Sequence, residues 1–139
     1  MKLPYTICYT SVANQLDDDE VNEIFEITAR HNNNCKIQGL LLYSKDTNRF
    51  FQVLEGEKKE VIKLYHEKIL KDPRHSEVTE IFHKPTSKPI FFKYTSKFNL
   101  IKSGEDLQEI KKYIEEHKYS KANSDEVLRL LEPFLILYS

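Results

Sequence analysis

The chain of 139 residues has no tryptophan, a single methionine at Met1, three glycines and two cysteines. Gly39, Gly56 and Gly104 stand too far apart to form a loop that cradles phosphate with backbone N–H groups. The spacing of Cys8 and Cys35 implies neither a disulfide framework nor a metal site. His66, His75, His83 and His117 lack ligand spacing with cysteines or acids, so no metal is expected. An excess of one charge is also missing. The formal net charge is −1 and Lys and Arg are scattered, which leaves no footprint for nucleic acid. No segment approaches the roughly 18 apolar residues of a membrane span, and no apolar run follows the start to form a signal peptide. These absences predict a reduced, soluble, cytoplasmic protein without membrane or nucleic-acid partners.

What is present is an ordinary globular balance of 40% hydrophobic and 31% charged residues, enough for one core without staples. Tyr5 to Val12 mixes β-branched and aromatic residues and reads as a strand. Asp17 with Glu20 is a capping signature, after which Val21, Ile24, Phe25 and Thr28 recur at helical spacing until Asn32-Asn33-Asn34. Ile37–Tyr43 and Phe50–Leu54 are apolar runs flanking a hairpin loop at 44–48. Val61, Leu64, Tyr65 and Ile69 mark a second helix closed by Pro73. Glu77–His83 and Phe91–Phe98 complete the strands. The order predicts an α+β, ferredoxin-like βαββαββ mixed sheet with two helices on one face. Its first and third strands are expected to be parallel central neighbours.

Two further helices are expected at Gly104–Lys118 and Asn123–Leu137, with Pro133 ending or kinking the second. Their apolar residues Leu107, Ile110, Ile114, Leu128, Leu131 and Leu135 predict packing on the other face of the sheet. Residues 100–139 hold six Lys+Arg against eight Asp+Glu, which argues against a basic arm. Apolar surface left over there would serve a homo-oligomer or a downstream protein partner.

Gln52 interrupts the apolar run Phe50-Phe51-Gln52-Val53-Leu54 and shares a face with Phe50 and Leu54. Tyr9 shares its face with Tyr5, Ile7 and Ser11, so the two meet beneath the helices if their strands are neighbours. A core Tyr–Gln hydrogen bond with no function satisfies this pattern. Asn32 at the helix end has an equally plain reading as a turn residue. Two amides and a phenol around one slot would also suit the alternating acceptor and donor edge of a flavin.

The blocks Ile7-Cys-Tyr9-Thr-Ser11, His31-Asn32, Ile37-Gln-Gly39-Leu-Leu-Leu-Tyr43, Phe51-Gln52-Val-Leu-Glu55-Gly56 and Asp72-Pro-Arg74-His75 resemble those of the BLUF family, sensors of blue light using flavin. They fall in the family's order over roughly the first hundred residues. The resemblance implies a photosensor domain at 1–100, a two-helix extension at 101–139, and a receptor that is not an enzyme. The implied cofactor is non-covalent FAD, with FMN or riboflavin as alternatives. It implies that Tyr9 donates an electron to the excited flavin and that Gln52 bridges tyrosine and flavin. Asn32 would bond the pyrimidine edge, Ile24 and His31 would pack on the ring, and Arg74 and His75 would lie near the flavin as a polar or cationic pair. Rearrangement of Gln52 by rotation or tautomerisation would shift absorption to the red. The expected output positions are Tyr94, Thr95 and Ser96. There the chain departs from the family, since Tyr94 and Ser96 stand for its tryptophan and methionine and a serine does not fill a methionine's volume. Gln38 also replaces a threonine usual before Gly39. Two other classes fit the residues alone: a flavin-free interaction module and a small ferredoxin-like enzyme, the latter without a locatable site.

Overall fold

The computed structural model describes residues 4–86, 90–91, 98–116 and 121–138. Strand β1 (Pro4–Ala13) leads into helix α1 (Asp18–Asn34) through the expected capping box. The Asp17 carboxylate accepts from Glu20 N–H at 2.8 Å, and Glu20 accepts from Asp17 N–H at 3.1 Å. β2 (Gln38–Ser44) and β3 (Arg49–Glu57) form the hairpin. Helix α2 (Lys58–Leu64) continues into a wider turn at Tyr65–Ile69, where Leu70 N–H donates to the Tyr65 carbonyl five residues back. β4 (His75–Pro85) and β5 (Asn99–Ile101) complete the sheet, followed by α3 (Gly104–Glu116) and α4 (Lys121–Tyr138).

The sheet order is β4-β1-β3-β2-β5, a five-stranded mixed sheet. β1 and β3 are central neighbours, but they run antiparallel, which corrects the parallel expectation. Each helical crossover makes a strand parallel to the next one in sequence, β1 with β2 and β3 with β4. The hairpin reverses β3 against β2, and therefore against β1 as well. β5 lies parallel to β2. The strand expected at Phe91–Phe98 falls largely on residues 92–97, outside the described residues, and the paired strand begins at Asn99.

Alternation divides the sheet as β-strand geometry demands. Tyr5, Ile7, Tyr9, Leu41, Phe50 and Leu54 face α1 and α2, against Val21, Phe25, Val61 and Tyr65. Cys8, Leu40, Leu42, Phe51 and Val53 face the tail helices, which cover the second face with Leu107, Ile110, Ile114, Val127 and Leu131. Leu128 is partly buried there, whereas the Leu135 side chain lies outside those described. Helix α4 runs through Pro133 rather than ending at it. Proline removes one backbone hydrogen bond, and burial of Leu131 and Phe134 on either side holds the helix in place.

Glu55 sits on this second face, 2% exposed, and accepts from the backbone N–H groups of Ile90 at 2.6 Å and Phe91 at 2.7 Å. Burial pushes its carboxyl up to about 7, against the opposing pull of those bonds and of Thr6. A carboxyl raised above its unfolded value of about 4.3 favours the folded state fully at low pH. That contribution is lost as pH rises through the folded value. The unfolding free energy obtained from urea titrations between about pH 5 and pH 8 is therefore expected to fall by an amount on the order of 2 kcal/mol from this group. Glu55→Gln should flatten the slope, and an unchanged slope would place the titration elsewhere.

Candidate functional site

Between α1, α2 and the first sheet face lies a cleft of about 140 Å³, open at its mouth. Its floor is a pair of opposed residues in the β1–β3 ladder, Tyr9 and Gln52. Residues directly opposite across antiparallel strands project to the same face, so the register alone brings phenol and amide together. The Tyr9 hydroxyl donates to Gln52 Oε1 in a short hydrogen bond. That orientation turns the amide oxygen to Tyr9 and leaves its N–H donors for other partners. Tyr9 is 3% exposed, and burial, with Tyr65 and Asp72 adding to it, holds its phenol far above the ordinary tyrosine value. It is a neutral donor across the physiological range.

Asn32 lies in the last turn of α1 and is fully buried. His31 Nδ1 donates to its Oδ1 at 3.1 Å, but its Nδ2 has no partner among the described residues. An orphaned buried donor costs about 1–3 kcal/mol, and a ligand carbonyl in the cleft would remove that cost. Asn32 is thus no mere turn residue. The turn is made by Lys36, in the left-handed conformation at φ 55°, while Ile37 N–H returns to the Asn32 carbonyl. Ile24 and His31 line the same wall, and Leu41, Leu64 and Ile69 supply an apolar surround.

Arg74 and His75 line the cleft as well, but both are engaged by the protein. Arg74 grips Asp72 through Nε and Nη2, the latter at 2.7 Å. Partial burial raises the Asp72 carboxyl, yet the Arg74 bonds and charge outweigh it and hold the group below its ordinary value. The pair is close to neutral, so Arg74 offers only its remaining N–H donors. His75 Nε2–H donates to the Ile69 carbonyl at 2.6 Å, and Nδ1 bonds Ser11 Oγ at 2.7 Å. With both nitrogens occupied, His75 presents its ring rather than a free polar atom.

Tyr9, Ile24, His31, Asn32, Gln52, Arg74 and His75 therefore all meet in one cleft. Lys68 also lines it, and sequence reasoning missed this cation, which has no ion pair among the described residues. Its position one helical turn after Leu64 was the available signal. Tyr94, Thr95 and Ser96 lie outside the described residues. The flanks of that segment are anchored on opposite faces of the sheet, Ile90 and Phe91 under the tail helices and Phe98 on the face of α1 and α2. Glu55 takes the Ile90 and Phe91 N–H groups, and Asn33 Oδ1 takes that of Phe98 at 2.7 Å. Among the described residues there is no metal-holding group of three or more His, Cys, Asp or Glu. No described helix is long and apolar enough to cross a membrane.

A family model described as sensors of blue-light using FAD matches residues 5–97. Among solved structures, Klebsiella pneumoniae BlrP1 with FMN and cyclic diGMP is 26% identical at a TM-score of 0.71, covering 96% of this chain and 35% of that one. The BLUF portion of BlrP1 superposes at 0.71 with 24% identity, over 97% of this chain and 91% of that one, a likeness of fold. The photo-activated state of BlsA is 29% identical at 0.57, covering 77% and 75%. The chain spans about a third of the length of full BlrP1, 34% in its calcium complex. A comparison with curated proteins gave no match.

Proposed function

Because this chain belongs to the BLUF family of flavin-binding blue-light sensors, we propose that its cleft binds FAD and that Tyr9, Gln52 and Asn32 convert light absorption into a changed hydrogen-bond pattern. The observation that carries this reading is the Tyr9–Gln52 bond on the cleft floor beside the unpaired Asn32 Nδ2. Asn32 Nδ2 would donate to a flavin carbonyl, Ile24, Leu64 and Ile69 would supply its apolar surround, and Lys68 would supply a cation for a phosphate.

Bound flavin supplies the blue-light absorption and, once excited, an electron acceptor. Tyr9 would be the electron donor to it. An oxidised phenol is strongly acidic, so the Tyr9 proton moves along the existing bond toward Gln52 Oε1. On return of electron and proton the Gln52 amide would be left rotated or tautomerised, and its altered donors toward the flavin would shift the absorption to the red. Output proceeds through protein contacts, with a second copy of the chain or a downstream protein. Its route from Gln52 runs along β3 to Glu55 and the Ile90–Phe91 backbone.

The test is a titration of the purified protein with FAD, FMN and riboflavin, followed by spectra before and after blue light. A reversible red shift is expected. Asn32→Ala should weaken flavin binding by about 1–3 kcal/mol, roughly a 5- to 150-fold rise in Kd. A protein that takes up none of the three flavins would overturn the reading.

A further inference from the structure

We propose that Asn33 is a positioning residue that couples occupancy of the cleft to the edge strand β5, through the hydrogen bond its Oδ1 accepts from Phe98 N–H at 2.7 Å. This rests on the reading of the cleft as a flavin site. Asn33 is exposed and stands outside the residues that line the cleft, so its part is not to touch the ligand. It shares a peptide bond with Asn32, whose buried side chain lines the cleft with Nδ2 unpaired among the described residues.

The last turn of α1 is tied down. The carbonyls of His31, Asn32 and Asn33 accept from the N–H groups of Cys35, Ile37 and Lys36, at 3.0, 2.8 and 3.3 Å. Asn32 therefore has little freedom to shift without Asn33. On the receiving side β5 is weakly held. It pairs with β2 in parallel over three residues, Asn99 to Ile101, and parallel pairing is less stable per residue than antiparallel. Phe98 comes just before this ladder, so Asn33 takes the place of a strand partner for its N–H. The Phe98 side chain is buried beside Gly39, its Cε2 3.3 Å from where a Cβ would stand. Asn99 Nδ2 donates to the Gly39 carbonyl at 2.8 Å. Two asparagine side chains thus fix the start of β5, one reaching from α1 and one from β5 itself.

A ligand that accepts from Asn32 Nδ2 fixes that side chain, and the shared turn passes the constraint to Asn33 and its bond with Phe98. Each bond is stronger when the other is made, which is a coupling free energy between two sites. Such coupling is reciprocal. A ligand that steadies β5 must bind less tightly once the Asn33 clamp is removed.

Amide hydrogen exchange of Phe98 and of Asn99–Ile101, followed by NMR in the dark with and without saturating FAD, tests this. FAD is expected to slow these amides about fivefold or more, the lower end of ordinary coupling. In Asn33→Ala the slowing should fall below about twofold, and the Kd for FAD should rise about fivefold. Asn33→Asp keeps an acceptor oxygen and should keep both values near those of the parent. A clamp of purely structural use gives a different pattern: faster exchange in Asn33→Ala, with the FAD effect and the Kd intact. That pattern overturns the coupling. Uptake of FAD by the parent without slowing at Phe98 also overturns it and leaves the flavin reading standing. A parent that takes up no flavin removes both.

Discussion

Tyr9→Phe is expected to take up flavin as the parent does and to lose the light-induced red shift entirely. The ring sits in the core beside Ile7, Leu54 and Tyr65, and phenylalanine keeps that packing. What disappears is the hydroxyl that donates to Gln52 Oε1. The thermodynamic cost is one buried acceptor left unpaired, about 1–3 kcal/mol, too little to unfold a domain of this size. The photochemical cost is total, because a phenyl ring has neither an accessible oxidation step nor a proton to pass. Gln52→Leu should behave alike for the complementary reason, since Tyr9 remains oxidisable but no amide remains to rearrange. Difference spectra of the two loaded variants, recorded before and after illumination, decide the matter. A parent-like shift in Tyr9→Phe would remove Tyr9 from the mechanism.

The largest expected effect on stability is at Gly39. Its φ of 136° is a conformation L side chains rarely adopt, and a Cβ there would stand 1.8 Å from the Val53 carbonyl oxygen. Val53 lies on β3, which pairs with β2 along the whole hairpin, so the oxygen cannot retreat without breaking the ladder. The Gly39 carbonyl also accepts from Asn99 Nδ2 at 2.8 Å, which ties β5 to the sheet. Backbone strain of about 1–3 kcal/mol and overpacking of about 1–3 kcal/mol act together. Gly39→Ala is therefore expected to lose roughly 3 kcal/mol or more, a large share of a domain's net stability. Gly56 is the control. A Cβ there meets its nearest neighbour, the Lys36 carbonyl, at 3.4 Å, an ordinary contact. Gly56→Ala should stay within about 1 kcal/mol of the parent. Equal urea midpoints for the two variants would contradict the Gly39 geometry.

The amino-acid sequence by itself determined the elements with a clear period and the residues that stand out against it. The Asp17–Glu20 box, the helical repeat from Val21, and the alternation of Tyr9 against Cys8 and Gln52 against Phe51 are local patterns. Burial imposes them on the chain directly. The family blocks placed Tyr9, Asn32 and Gln52, and one cleft holds them all. Tertiary structure alone decided strand direction, because the β1–β3 pairing follows from how the crossovers and the hairpin combine, not from either strand's own residues. It decided that α4 continues past Pro133, where burial outweighs a missing hydrogen bond. It decided that Asp72 neutralises Arg74 and that Ile69 and Ser11 occupy both nitrogens of His75. It also set the Tyr65 ring 5.7 Å from that of Tyr9, a contact across 56 residues of chain that no local period encodes. Periodicity records which face a side chain turns toward the core. Which partner it meets there depends on non-local pairing, which is settled only when the whole sheet closes.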